Sequence, residues 1–211
     1  PIVSVIISGR PLSLSDVESN LDAILYGWIL GQETGTAVAD ILFGDTNPSG
    51  KMPVSVPRSV GNIPAYYNHK PTARRGYAFA DASPLYAFGE GMSYTAFDIS
   101  EPILSSSIMG IDEETSVSVE ITNTGMMAGE EVVQLYIRDK VSSVTRNVKD
   151  LKGFKRVSLA PGETKTVTLP IRKESLWFYN LDMERVVEPG EFDIMVGNSS
   201  QNVKSVTLTV Q

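Results

Sequence analysis

Residues 41–67, ILFGDTNPSGKMPVSVPRSVGNIPAYY, separate two kinds of sequence in this 211-residue chain. Phe43-Gly44-Asp45 ends a helical run, and Gly44 suits the left-handed conformation that closes helices. Asn47-Pro48-Ser49-Gly50 is turn chemistry: Pro48 fixes φ, and Gly50 tolerates a positive value. Residues 51–57, KMPVSVP, then run extended, because each residue before a proline is pushed out of the helical region. Residues 85–97, LYAFGEGMSYTAF, repeat the mixture of glycines and aromatics. Spacing alone reads the first stretch as a helix exit followed by an edge strand.

Upstream of it, residues 2–8 form a near-continuous β-branched run, the pattern of a parallel strand covered on both faces. Gly9 and Pro11 end that run. A short helix is expected from Asp16, and a second short apolar run follows at 23–28. Residues 32–43 place Ala37, Val38, Ile41 and Leu42 on one helical face that stops at Gly44. Strand, helix, strand and helix in succession imply an α/β layer with too few strands for a complete sheet. The opening PIVSVIISG has no charged n-region and no small-residue cleavage site, so it is not a secretory signal. It is read as a strand entered from a longer chain.

Downstream the period changes. SVSVEI (116–121), VVQLYIR (132–138), TKTVTLPI (164–171), EFDIMV (191–196) and VKSVTLTV (203–210) alternate at period two. Turn signals at 123–125, 161–162 and 189–190 divide them. Short strands at such intervals predict an antiparallel β-sandwich. The expected organisation is 1–56 as the end of an α/β layer, 57–111 as an irregular connecting segment, and 112–211 as the sandwich.

A net charge of −7 opposes binding to nucleic acid or to an anionic membrane surface. No apolar run approaches the roughly 20 residues needed to span a bilayer. The chain has no cysteine, which removes disulfides, thiolate chemistry and cysteine–zinc sites.

As a set, the motifs say more than each does alone. Leu42-Phe43-Gly44-Asp45, Asn47-Pro48-Ser49-Gly50-Lys51, Pro57-Arg58-Ser59-Val60-Gly61 and Ile63-Pro64-Ala65-Tyr66-Tyr67-Asn68 are followed by Leu85-Tyr86, Phe88-Gly89, Gly91 and Ser93-Tyr94-Thr95. Then come Leu151-Lys152-Gly153-Phe154, Leu159-Ala160-Pro161-Gly162-Glu163, Glu188-Pro189-Gly190 and Val196-Gly197. In this order they resemble the C-terminal half of the β-glucosidases and β-xylosidases of glycoside hydrolase family 3. The likeness covers nearly the whole chain. It implies a partial α/β sandwich followed by a fibronectin type III-like β-sandwich. Three positions depart from the family's usual pattern: the proline before Gly31 is absent, Ala87 stands where proline is common, and Glu90 where an aromatic often sits. Glu90 is read as surface variation.

The resemblance also bears on chemistry. Retaining glycosidases need two carboxyl groups about 5–5.5 Å apart. In this family the nucleophile is an Asp in an N-terminal (β/α)8 barrel, at an Ser-Asp-Trp-like strand end, and a Lys-His pair there grips the sugar. Ser15-Asp16 is followed by Val17 and does not match; His69 is the lone histidine. The family's acid/base generally precedes the strand that opens this chain. No residue here inherits a catalytic role, no cofactor or metal is implied, and the chain alone is expected to be inactive. The implied partners are the N-terminal barrel and, through the parent enzyme, a β-linked oligosaccharide. Open sheet edges predict pairing with that barrel or homo-oligomers.

Within the chain, Glu130 and Glu131 are adjacent, so on a strand they face opposite ways and form no catalytic pair. Asp112, Glu113 and Glu114 read as solvated charge, and Glu33 as a complement to a helix dipole. The stretch 69–79, HKPTARRGYAF, is the best candidate for touching substrate. Arg74 and Arg75 offer guanidinium forks, and Tyr77 a stacking surface. His69 lacks the companions of a metal site. Trp177-Phe178-Tyr179 reads as half-buried core aromatics more readily than as a sugar platform. The alternative function, a carbohydrate-binding or adhesion module, fits the β-sandwich but leaves residues 1–56 without a purpose.

Overall fold

The computed structural model describes residues 1–72, 79 and 81–211. Its first layer is small. Strand β1 (Val3–Ile6) pairs in parallel with β2 (Ala23–Tyr26), Val3 opposite Ala23, across a crossover that holds helix α1 (Ser15–Glu18). Helix α2 (Thr34–Leu42) follows. Gly44 takes φ 86° and its N–H donates to the Ile41 carbonyl at 3.1 Å, the closing turn its position predicts.

These 211 residues supply only part of the cover that the sequence pattern of β1 calls for. Residues 2–8 were expected to be covered on both faces, yet Ile2 and Ile7 are 59% and 58% exposed and α2 has no buried residue. A parallel strand needs helices on both sides of a wider sheet. Two strands and one nine-residue helix cannot supply that cover.

The sandwich closes on itself. Three short strands lead in: β3 (Phe97–Ile99), β4 (Ile103–Leu104) and β5 (Ile108–Met109). Long strands follow as β6 (Thr115–Asn123), β7 (Gly129–Asp139), β8 (Asp150–Leu159) and β9 (Thr164–Ile171). A one-turn helix α3 (Lys173–Leu176) leads to the small hairpin β10 (Phe178–Tyr179) and β11 (Arg185–Val186). Strands β12 (Gly190–Gly197) and β13 (Val203–Val210) end the fold. One sheet has the order β5-β13-β12-β7-β8; in the other, β6 is joined by β3, β4 and β9. Alternation puts Val117, Val119 and Ile121 of β6 against Val133, Leu135 and Ile137 of β7, with Phe192, Ile194 and Leu208 completing the core.

Strand β8 was not among the expected strands. Leu135 lies opposite Gly153 and Tyr136 opposite Leu151, so Lys152 is an extra residue that breaks the alternation. Gln134 and Tyr136 point away from the core of the sandwich but are buried all the same. The connecting segment lies over them.

Candidate functional site

The site is built where the connecting segment meets the outer face of β7 and the loop from β7 to β8. Its first contact is made by the turn that the sequence singled out. Asn47 donates to the Ala128 carbonyl at 2.9 Å, and its Oδ1 accepts from Ser93 Oγ and the Tyr94 N–H, both at 2.8 Å. Ser49 donates to Glu130 at 3.4 Å and accepts from the Arg156 guanidinium. Lys51 Nζ lies 2.6 Å from Glu131 Oε1, with side-chain exposures of 11% and 5%, and also donates to the Gly91 carbonyl. A pair this dry is strong only while both members are present.

Glu130 is held further by Ser158 Oγ at 2.6 Å and Arg156 Nε at 3.0 Å. The Ser158 hydrogen bond, more than the Arg156 charge, keeps its carboxyl below the ordinary range. The adjacent carboxylates do point to different partners. They nevertheless serve one purpose, gripping successive positions of the same incoming segment, and sequence reasoning missed this.

Residues 86–91 make the second contact. Gln134 Nε2 donates to the carbonyls of Gly89 at 3.1 Å and Asn198 at 2.7 Å, while its Oε1 accepts from the Tyr136 hydroxyl at 2.5 Å. Gly89, at φ 79°, lets the backbone come this close; a Cβ there would sit 2.2 Å from Gln134 Oε1. Burial raises the Tyr136 hydroxyl far above the usual phenol range.

Two departures from the family pattern meet in this turn. The Ala87 N–H donates to Glu90 Oε2 at 2.7 Å. A proline at 87 would have no N–H to give. Glu90 therefore closes the turn with a bond that Ala87 makes available, which corrects its reading as surface variation.

The third contact is made by residues 67–71. The Tyr67 ring stacks on Phe88 at 4.2 Å and meets Tyr136 edge-on at 5.8 Å, and its hydroxyl accepts from the Leu151 N–H at 3.1 Å. Desolvation raises the Tyr67 hydroxyl as well. The Val148 N–H donates to the His69 carbonyl at 2.9 Å, and Lys70 Nζ donates to the Thr145 carbonyl at 2.7 Å. Pro71 then borders an open cleft of about 280 Å³ with Arg138, Asp139, Arg146 and Asn147 on its wall. Burial lifts the Asp139 carboxyl, against the pull of Arg146 3.5 Å away. Burial likewise lowers Lys149 and Lys152. A second cleft, about 360 Å³, lies between Glu90 and Gly91 and the amide-rich turn Asn198, Ser199, Gln201 and Asn202.

The candidate substrate residues Arg74, Arg75 and Tyr77 lie outside the described residues. His69 Nδ1 sits 2.8 Å from the Lys70 carbonyl. No group of three or more His, Cys, Asp or Glu side chains gathers for a metal ion among the described residues, and no described helix is long and apolar enough to cross a membrane. Phe178 is buried under the Arg146 guanidinium at 4.4 Å, and Trp177 packs against the core. Tyr179 is half exposed, but Arg185 lies over both its ring and that of Trp177, at 5.3 and 4.5 Å. The rings stack on a cation of the chain itself.

Comparison with known proteins fits this architecture. Residues 1–94 match the family model of the glycosyl hydrolase family 3 C-terminal domain, and residues 131–200 that of the fibronectin type III-like domain. The chain belongs to glycoside hydrolase family 3. It is similar to a β-xylosidase of Formosa agariphila, 46% identical over all of this chain and 30% of that protein. A periplasmic β-glucosidase of Salmonella typhimurium is 47% identical over 97% of the chain and 28% of its own length. Among solved structures, a β-glucosidase from Erythrobacter marinus superposes with a TM-score of 0.96 at 45% identity, covering 99% of the family 3 chain and 28% of that protein. One from Listeria innocua, in complex with glucose, superposes at 0.94 and 38% identity over the whole chain and 31% of its own. The family 3 chain thus corresponds to the C-terminal part of these glycosidases and spans under a third of their length.

Proposed function

We propose that the protein to which these residues belong is a retaining β-glycosidase that removes terminal, non-reducing β-linked glucose or xylose. In this reading the 211 residues are its scaffold and one wall of its cleft, not its catalytic machinery. One observation carries the second half: the adjacent carboxylates Glu130 and Glu131 are both engaged in holding residues 49–51 to the sandwich. The whole-chain likeness to a β-xylosidase and a β-glucosidase supports the first half.

Arg74, Arg75 and Tyr77 are assigned to the rim of the cleft, where forks and a ring suit sugar hydroxyls and faces. The apolar residues Ile2, Ile7 and Phe43, open in this chain, are assigned to contact with the rest of the enzyme. Self-association through the same faces is the competing outcome.

The test compares the full-length enzyme with the purified 211 residues on aryl β-glucosides and β-xylosides. Turnover by the former and none by the latter is expected. Robust turnover by the 211 residues overturns the scaffold role, and no turnover by the full-length enzyme overturns the glycosidase. Size-exclusion chromatography of the 211 residues decides between an open face and self-association.

A further inference from the structure

The hairpin of β10 and β11 ends in an apolar tip. Leu181 and Met183 stand 84% and 74% exposed on its turn, with the exposed carboxylates Asp182 and Glu184 beside them. The turn is held in shape. Asn180 Oδ1 accepts from the N–H groups of Asp182 and Glu184 at 3.0 and 2.9 Å, and the Asn180 N–H donates to the Glu184 carbonyl at 3.0 Å. Met183 takes φ 59°, a left-handed conformation that is uncommon for a bulky side chain. A turn already fixed in this way loses little further freedom when a partner covers it.

Beside the hairpin lies the cleft of about 280 Å³ at the β7–β8 loop. Pro71, Val141 and Val144 give it an apolar wall, and Arg138, Lys140 and Arg146 a cationic rim. Lys140 is matched by Glu191 and Asp193, at 3.0 and 3.4 Å, and Arg146 by Asp139 at 3.5 Å. Arg138 is not matched: Asp193, its cross-strand neighbour, is held by Lys140 instead, and no other described carboxylate pairs with it. Cleft and hairpin share one face. The Arg146 guanidinium lies 4.4 Å over the ring of Phe178 in β10, and the Ser143 N–H donates at 2.9 Å to Glu188, just past β11.

We propose that this face docks a second copy of the same enzyme about a two-fold axis, each apolar, acid-flanked hairpin tip entering the other copy's cation-rimmed cleft. A two-fold interface must be self-complementary, and a tip and a cleft side by side on one surface satisfy that. Leu181 and Met183 of one copy meet Pro71, Val141 and Val144 of the other, and Asp182 and Glu184 lie against Arg138. Burial of the tip drives the association, and the charges select the surface that receives it. Tip against tip would instead oppose carboxylates of like charge. The pairing lies on the sandwich and does not depend on the glycosidase reading.

The experiment is sedimentation velocity of the full-length enzyme, in which the open faces of the α/β layer are assigned to internal contact. A dimer is expected. Leu181→Asp should raise its dissociation constant on the order of thirty-fold, the effect of losing a central apolar anchor. Its far-UV circular dichroism should not change, because Leu181 is exposed on a turn. Arg138→Glu should weaken the dimer on the order of ten-fold, and adding Glu184→Arg should restore it, because the charges are then exchanged across the interface. A monomer at every concentration overturns the proposal; protection of Leu181 from hydroxyl radicals in that monomer would assign the tip to a contact within one polypeptide. A dimer that Leu181→Asp leaves intact places the interface elsewhere and overturns it too. Hydrolysis of β-glucosides and β-xylosides, which tests the glycosidase, is read separately.

Discussion

Phe192 and Phe43 are the same side chain in two regions that solve burial differently: the first is 2% exposed in the sandwich, the second 85% exposed at the end of α2. In the sandwich β7–β8 and β12–β13 pair as sequential antiparallel strands while β6 to β7 and β8 to β9 cross between the sheets, so both sheets and the core between them come from one contiguous stretch. The α/β layer uses parallel pairing, which requires crossovers and cover on both faces. The two strands and α2 that lie within these 211 residues leave Ile2, Ile7 and Phe43 open. Hydrophobic sequence makes a core only where topology brings a second layer to it.

The largest expected effect tests that contrast directly. Phe192→Ala should lower the unfolding free energy of the 211 residues by about 3–5 kcal/mol, through lost burial and a residual cavity. Phe43→Ala should change it by no more than about 0.5 kcal/mol. Urea denaturation measures both. Equal losses would mean that Phe43 is covered in solution and that the two regions do not differ as described.

The seam comes next. Lys51→Ala leaves Glu131 buried without its cation, at a cost of about 3 kcal/mol. If the α/β layer and the sandwich are coupled through this pair, the variant should also split one denaturation transition into two. A single transition with an unchanged midpoint would show that the pair contributes nothing to the coupling.

How much of this was legible in the sequence depends on how far apart the cooperating residues lie. The spans of β9 and β13 and the Gly44 cap follow from local rules, period two and a left-handed glycine. Strand β8 escaped because the extra residue Lys152 breaks the alternation. Strands β3, β4, β5, β10 and β11, two or three residues each, are too short to show a period. The candidate site was less legible still. Lys51 and Glu131, Gly89 and Gln134, and Tyr67 and Leu151 meet across long sequence distances, and nothing local pairs them. Gln134 carried one weak signal, a polar residue in an otherwise apolar run that faces away from the core.

Smaller in effect is the turn where Ala87 meets Glu90. Ala87→Pro removes the N–H and leaves a half-buried carboxylate oxygen without its donor, a loss of about 1.5–3 kcal/mol for a charged acceptor. Combined with Glu90→Tyr, the proline should cost less than it does alone, because the oxygen is gone too. A double-mutant cycle by thermal denaturation measures that coupling, and strict additivity would show that the two departures are independent.

The smallest effect is electrostatic and separates two groups of the sandwich seam by pH. Burial raises the hydroxyls of Tyr67, Tyr86 and Tyr136 above the ordinary 10.0, so below that pH they are neutral in both states and add no pH dependence. Above it the unfolded chain ionises first, and stability falls as pH rises. Lys149 and Lys152 act in the opposite sense. Burial lowers them from 10.5, so the unfolded chain binds more protons just below that value, and stability rises with pH across that window. The urea midpoint should therefore climb on the approach to pH 10 and then drop. Tyr136→Phe loses about 0.5–1.5 kcal/mol at neutral pH with its bond to Gln134. It should also make the alkaline drop shallower, because one phenol no longer favours the unfolded chain. A drop as steep as in the parent would place the alkaline transition on groups other than Tyr136, and would separate the seam from the pH response of the sandwich.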